Sequence, residues 1–183
     1  RPVSNGICSL WSGLDDFLAQ GQNQEQNSKD GLDAALWERI TEPFTNGLDI
    51  VGYNYMEDIY ERDHEMFPER VILGSENFPK EIGYRWPLVE RLPYVIGEFT
   101  WTAWDYIGEA GIGKAVYVEK DDPLAEKGPW ALMPQFMSPY PWRTANDADF
   151  DITGRMMHQG AYRSVVWGCE KTYLFSMHPE TFG

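Results

Sequence analysis

Four short apolar runs, each followed further along the chain by a segment of helical spacing, constrain this sequence more than any other feature. Arg1 to Leu10 reads as a strand that ends in a loop at Trp11-Ser12-Gly13, and Asp33 to Phe44 carries Ala34, Ala35, Leu36 and Ile40 at helical spacing until Asn46-Gly47 stops it. Leu48 to Tyr55 is a compact β-rich run, followed by a helical pattern from Ile59 to Phe67 that Pro68 ends. Val71 to Glu76 repeats the strand signal, and Tyr84 to Leu92 repeats the helix, with Pro87 expected near its first turn. Val95 to Trp101 makes the fourth strand and Gln159 to Trp167 the fourth helix. Strands that alternate with helices through short αβ connections build parallel βαβ units rather than an antiparallel meander. Four such units make half of a (β/α)8 barrel.

The chain has 183 residues, whereas a complete barrel of this kind takes about 250. Fifteen basic residues against twenty-nine acidic ones give a net charge of −14, which opposes binding to a phosphate backbone or an anionic membrane. Eight Trp and ten Tyr supply flat faces suited to sugar rings or other planar ligands, and equally to an aromatic core. No apolar run approaches the length of a membrane span, and the first residues do not read as a signal peptide. Cys8 and Cys169 lack metal-ligand spacing and are expected to be reduced thiols.

Gln20 to Gly31, crowded with Gln, Asn, Ser and Lys, reads as an exposed loop. Asp105 to Gly154 has little periodicity, and its Trp130, Phe136, Tyr140 and Trp142 argue for an ordered lid, because disordered segments are poor in aromatics. Lys171 to Phe175 reads as the beginning of another strand.

Parallel β/α barrels carry their functional residues at the C-terminal ends of strands and in the loops that follow. That rule selects Asn54 and Tyr55 after the second strand, Glu76 after the third, and Trp101, Trp104 and Asp105 after the fourth. Glu76 is the sharpest candidate, since a carboxylate ending Val71-Ile72-Leu73-Gly74-Ser75 faces the mouth of the sheet; a solvated strand-end glutamate or a helix cap is the competing reading. Trp101 and Trp104 by themselves read more as core than as ligand platform, and Asp105 reads best as a residue that caps a turn or orders the following loop. His64, His158 and His178 share no local spacing. Gly108 to Gly113 lacks the strand, Lys-Ser/Thr and helix that a phosphate loop requires, and reads as a flexible loop.

Three motifs, Val51-Gly52-Tyr53-Asn54-Tyr55, Val71 to Glu81 containing Gly74-Ser75-Glu76, and Gly97 to Tyr106, resemble in order and spacing the catalytic barrel of β-galactosidase-like glycoside hydrolases of family 2. The resemblance runs from Arg1 to about Gly168 and matches barrel strands five to eight with their helices. It implies that Glu76 is the nucleophile of a retaining β-glycosidase. It also implies that Tyr55 hydrogen-bonds beside that carboxylate and that Trp101 floors the sugar subsite; strand-end position adds Asn54 and Trp104 as substrate-binding candidates. The family's acid/base glutamate, in an Asn-Glu pair ending strand four, has no counterpart in this sequence, so the fragment alone is expected to be inactive.

The expected domain layout is a partial catalytic barrel over 1–168, with 169–183 leading toward a further domain. The resemblance implies a β-linked glycoside as substrate and no cofactor in this fragment, a divalent cation in the missing half remaining open. β-Glucuronidases of the family carry an Asn-x-Lys element after strand eight that is absent between Asp105 and Gly168, which favours a neutral sugar, galactose first. A glucuronide, a mannoside or a β-glucan is the alternative substrate, and a noncatalytic carbohydrate-binding module with Trp101, Trp130 and Trp142 as its platform is the alternative class. An open half-barrel face argues for a homodimer that covers it. The compartment is left open, with cytoplasmic favoured over periplasmic or secreted.

Overall fold

The computed structural model describes residues 1–8, 34–114, 140–169 and 171–174. The chain forms two compact units, Arg1–Thr100 and Trp101–Gly183.

The first unit consists of β1 (Ser4–Ile7), α1 (Ala34–Thr45), β2 (Ile50–Asn54), α2 (Tyr60–Met66), β3 (Ile72–Asn77), α3 (Ile82–Arg91) and β4 (Val95–Thr100). Its four strands form one sheet in the order β1-β2-β3-β4, and every neighbouring pair is parallel. The expected parallel βαβ repeat is therefore present. Because strand residues alternate between faces, Val51 and Tyr53 turn to one side of β2 and Gly52 and Asn54 to the other. Val51 and Tyr53 join Ile72, Val95, Met56, Tyr60 and Leu92 in the buried core, with Leu88 and Val89 of α3 packed against it. This apolar layer leaves the opposite face and the C-terminal strand ends to carry polar side chains.

The α1 helix stops where the sequence indicates. Gly47 adopts φ 84°, a left-handed conformation that costs glycine little, and the Leu48 amide donates to the Thr45 carbonyl at 3.0 Å. The α3 helix departs from expectation. A 3-10 turn over Pro79–Glu81 starts it early, so helical residues begin at Ile82 and Pro87 sits in the helix interior rather than its first turn. Helix nucleation at Pro79, whose fixed φ suits a first turn, explains the earlier start.

A buried cation ties α1, α2 and the approach to β3 together. Arg70 donates from Nη1 to Asp63 Oδ1 at 2.7 Å, and from Nη2 to Thr45 Oγ1 at 3.1 Å and Thr41 Oγ1 at 3.3 Å. Its guanidinium also lies 3.6 Å from the centroid of the Phe67 ring. Only the forked, planar arginine head satisfies a carboxylate, two hydroxyls and a ring face at once.

In the second unit, α4 (His158–Val166) matches the fourth predicted helix. Arg163 in that helix donates from Nε to Asp149 Oδ2 at 2.6 Å, an ion pair with both side chains largely buried. Within the aperiodic stretch, Trp130 and Phe136 lie outside the described residues, whereas Tyr140 is exposed beneath Arg143 and Trp142 sits beside Lys114. In the glycine-rich loop, Gly108, Gly111 and Gly113 donate to the carbonyls of Arg143, Thr144 and Ala145 at 3.0, 2.8 and 2.9 Å. The strand expected to begin at Lys171 is absent over the described residues 171–174. A strand exists through its pairing, and no described segment pairs with this one. Cys8 and Cys169 are not joined in a disulfide.

Candidate active site

Asn54 is the last residue of β2, and Glu76 lies one residue before the end of β3. Pairing runs Tyr53 to Gly74 and then Asn54 to Glu76, so one extra residue, Ser75, is accommodated opposite the Tyr53-Asn54 step. A bulge of this kind bends its strand and re-aims the side chains around it. Here it brings the Glu76 carboxylate into line with the end of β2. Tyr55 leaves the strand with φ 56°, an uncommon conformation for a bulky residue, while its amide still donates to the Glu76 carbonyl at 2.9 Å.

That turn returns the phenol to the carboxylate. Tyr55 Oη donates to Glu76 Oε1 at 2.6 Å, and Asn54 Nδ2 donates to Glu76 Oε2 at 3.1 Å. Each carboxylate oxygen therefore has one donor. Burial first, and then the hydrogen bond and charge of Glu76, hold the Tyr55 hydroxyl well above its ordinary value, so it stays a proton donor at any physiological pH. The Tyr55 ring rests against Phe78 with centroids 4.4 Å apart. Asn54, Tyr55 and Glu76 are thus brought together as the strand-end rule leads one to expect. The solvated-glutamate reading does not describe Glu76, whose two oxygens are both engaged. Ser75 and Phe78 were not singled out from the sequence; the Gly-Ser-Glu spelling contains Ser75, but only the bulge gives it a role.

Trp101 and Trp104 belong to the second unit. Trp101 Nε1 donates to Tyr106 Oη at 3.1 Å, and Tyr106 Oη donates in turn to Glu109. Trp104 stacks on Phe150 at 5.6 Å and remains more than half exposed at 55%, so it is neither core nor fully committed to packing. Asp105 accepts from the Asn146 amide at 2.8 Å, the loop-ordering role expected of it.

Asp147 was not anticipated. Its Oδ1 is buried with no hydrogen-bond partner among the described residues. Burial first, then the Asp105 carboxylate and more weakly that of Glu109, push its carboxyl from 3.8 up to about 6, against backbone hydrogen bonding that favours the charged form. An acid whose folded value is raised stabilises the fold below its unfolded value and loses that contribution as pH rises through the folded one. Asp147→Asn is accordingly expected to raise stability at pH 7 by about 1 kcal/mol, a figure reduced for solvent screening of a half-buried group. The gain vanishes below about pH 4, and thermal melts at the two pH values check it.

Among the described residues, no group of three or more His, Cys, Asp or Glu is arranged to hold a metal ion. His64 instead stacks on Tyr94 with centroids 3.6 Å apart.

The fold and this site together define a partial α/β domain whose parallel strands present a doubly hydrogen-bonded carboxylate at their C-terminal ends. A solved structure of a glycosyl hydrolase family 2 member from Bacteroides cellulosilyticus is 28% identical with a TM-score of 0.61, over 92% of this chain and 16% of that one. The resemblance to glycoside hydrolase family 2 carried by the three motifs therefore holds across nearly the whole chain in three dimensions. A second family 2 member, from Bacteroides cellulosilyticus DSM 14838, is 27% identical with a TM-score of 0.49 over 92% of this chain and 15% of that one. A β-glucuronidase from Faecalibacterium prausnitzii is 14% identical with a TM-score of 0.43, over 96% of this chain and 26% of that one. No family model matches the sequence, and no curated protein matches it. The chain spans about a sixth of the length of the first of these structures, 16%.

Proposed function

We propose that this chain is the C-terminal half of the catalytic (β/α)8 barrel of a retaining β-glycosidase, with Glu76 as its nucleophile. The observation that carries the reading is the pair of donors on Glu76, Tyr55 at 2.6 Å and Asn54 at 3.1 Å, at the C-terminal end of a parallel strand. A carboxylate held this way is fixed in orientation, as attack on an anomeric carbon requires. In a retaining mechanism the nucleophile forms a glycosyl-enzyme while a second carboxyl, about 5 Å away, protonates the leaving oxygen and then activates water. That acid/base group is supplied from outside this sequence, so the chain alone lacks turnover. Trp101 and Trp104 serve as sugar platforms, and a neutral sugar, galactose first, is the substrate.

The experiment is covalent trapping. The full-length protein that carries this chain is incubated with dinitrophenyl fluorodeoxy-β-glycosides of galactose, glucose, mannose and glucuronic acid, digested, and its peptides weighed. The expected result is one fluorosugar adduct on the peptide containing Glu76. An adduct on another carboxylate, or none with any of the four sugars, would refute the assignment.

A further inference from the structure

Asn54 is engaged on both heads of its amide. While its Nδ2 donates to Glu76 Oε2 at 3.1 Å, its Oδ1 accepts from Ser75 Oγ at 2.7 Å. An ionised carboxylate offers only acceptors, so the amide must present nitrogen to Glu76 and oxygen to Ser75. In the flipped orientation Oδ1 would oppose a carboxylate oxygen. The carboxylate thus selects the orientation, and the serine hydroxyl, turned to donate to Oδ1, holds the amide in it.

The arrangement depends on the bulge. Consecutive strand residues ordinarily point to opposite faces. Because Ser75 is the extra residue between the Gly74 and Glu76 pairings, both Ser75 and Glu76 reach the same asparagine. It depends equally on two positions that lack a side chain. A Cβ at Gly6 would stand 2.9 Å from Asn54 Oδ1 and 3.3 Å from Ser75 Oγ, and one at Gly52 would stand 2.7 Å from Ser75 Oγ. Backbone on β1 and β2 thus makes room for the hydroxyl and the amide, and for little else.

From this geometry we propose that Ser75 and Asn54 act as one positioning unit for Glu76, and that Asn54 is not a sugar ligand. The proposal rests on the reading of Glu76 as nucleophile. Ser75 holds the amide, the amide fixes Oε2, and Tyr55 fixes Oε1. The unit acts on the rate of nucleophilic attack and not on sugar affinity, because its hydrogen bonds run from Ser75 to Asn54 and from Asn54 to the attacking carboxylate.

The test uses the full-length protein and a dinitrophenyl fluorodeoxy-β-galactoside, or whichever of the four sugars labels the wild type, with the first-order trapping rate and the inhibitor constant measured separately. Ser75→Ala is expected to slow trapping about tenfold with the inhibitor constant within about twofold of wild type. Gly6→Ala, which touches neither Glu76 nor the sugar, is expected to slow it in the same sense. Asn54→Ala and the Ser75→Ala/Asn54→Ala double variant are expected to be equally slow, since a unit broken once is not broken further. Losses that multiply in the double variant, an unchanged trapping rate in Ser75→Ala, or a loss confined to the inhibitor constant overturns the proposal while leaving Glu76 as nucleophile. Absence of a wild-type adduct at Glu76 overturns both. Melting temperatures of the variants separate either result from misfolding, and if Ser75→Ala melts early, the Gly6→Ala trapping rate decides.

Discussion

Glu76→Ala in the full-length protein is expected to lower kcat on an aryl β-glycoside on the order of 10⁴-fold or more, the scale reached when a nucleophile is removed. The loss follows from chemistry and not from folding. Glu76 is bound by side chains at the sheet's end and does not belong to the apolar core, so the variant should melt close to wild type. Azide supplies the decisive readout. With the carboxylate gone, azide occupies the space and attacks the anomeric carbon of a dinitrophenyl β-glycoside while the dinitrophenolate departs, forming an α-glycosyl azide. The inverted configuration marks the missing group as the nucleophile; a β-glycosyl azide would mark it as the acid/base residue instead. No rescue and no rate loss would return Glu76 to the status of a structural residue.

The second large effect concerns stability. Arg70→Ala should destabilise the first unit by about 3–5 kcal/mol, because it leaves Asp63, whose side chain is fully buried, without its counter-ion. Thr41 and Thr45 lose a donor in the same step, and Phe67 loses the guanidinium packed on its face. Arg70→Lys should recover little, since a single ammonium cannot reach the carboxylate, both hydroxyls and the ring together. Arg70→Met with Asp63→Asn, which removes both charges, should cost much less than Arg70→Ala alone. Urea unfolding followed by circular dichroism measures all three. A double variant as unstable as Arg70→Ala would show that packing, not the stranded charge, sets the cost.

The fold was legible wherever short apolar runs alternate with helical spacing, which is why β2, β3, β4 and the helices between them stand within a few residues of their expected places. The misplaced start of α3 has a local cause. Pro87 invited a first-turn reading, yet Pro79 opens the 3-10 turn that leads into the helix, which starts at Ile82, two residues before the expected Tyr84. At the candidate site, the strand-end rule was enough to single out Asn54, Tyr55 and Glu76, whose side chains meet in the fold. It was not enough to find the Ser75 contact, because a one-residue register shift leaves no mark on hydrophobic pattern. Asp147 was invisible for another reason. Its perturbation comes from burial and from carboxylates at Asp105 and Glu109, which lie far from it in sequence and near it only after folding. Arg70 and Asp63 read as ordinary surface charges on a helix and in a loop, and nothing short of the folded packing reveals that they are enclosed.

Gly52 has a wider reach than its size suggests. A Cβ there would fall 1.8 Å from the Asn5 carbonyl oxygen, closer than atoms can approach. Any inherited change at this codon would therefore prise β1 from β2 before it disturbed the carboxylate. In a mutational survey of the gene, such a lesion would be scored as lost protein, although its position in the chain lies only two residues from Asn54.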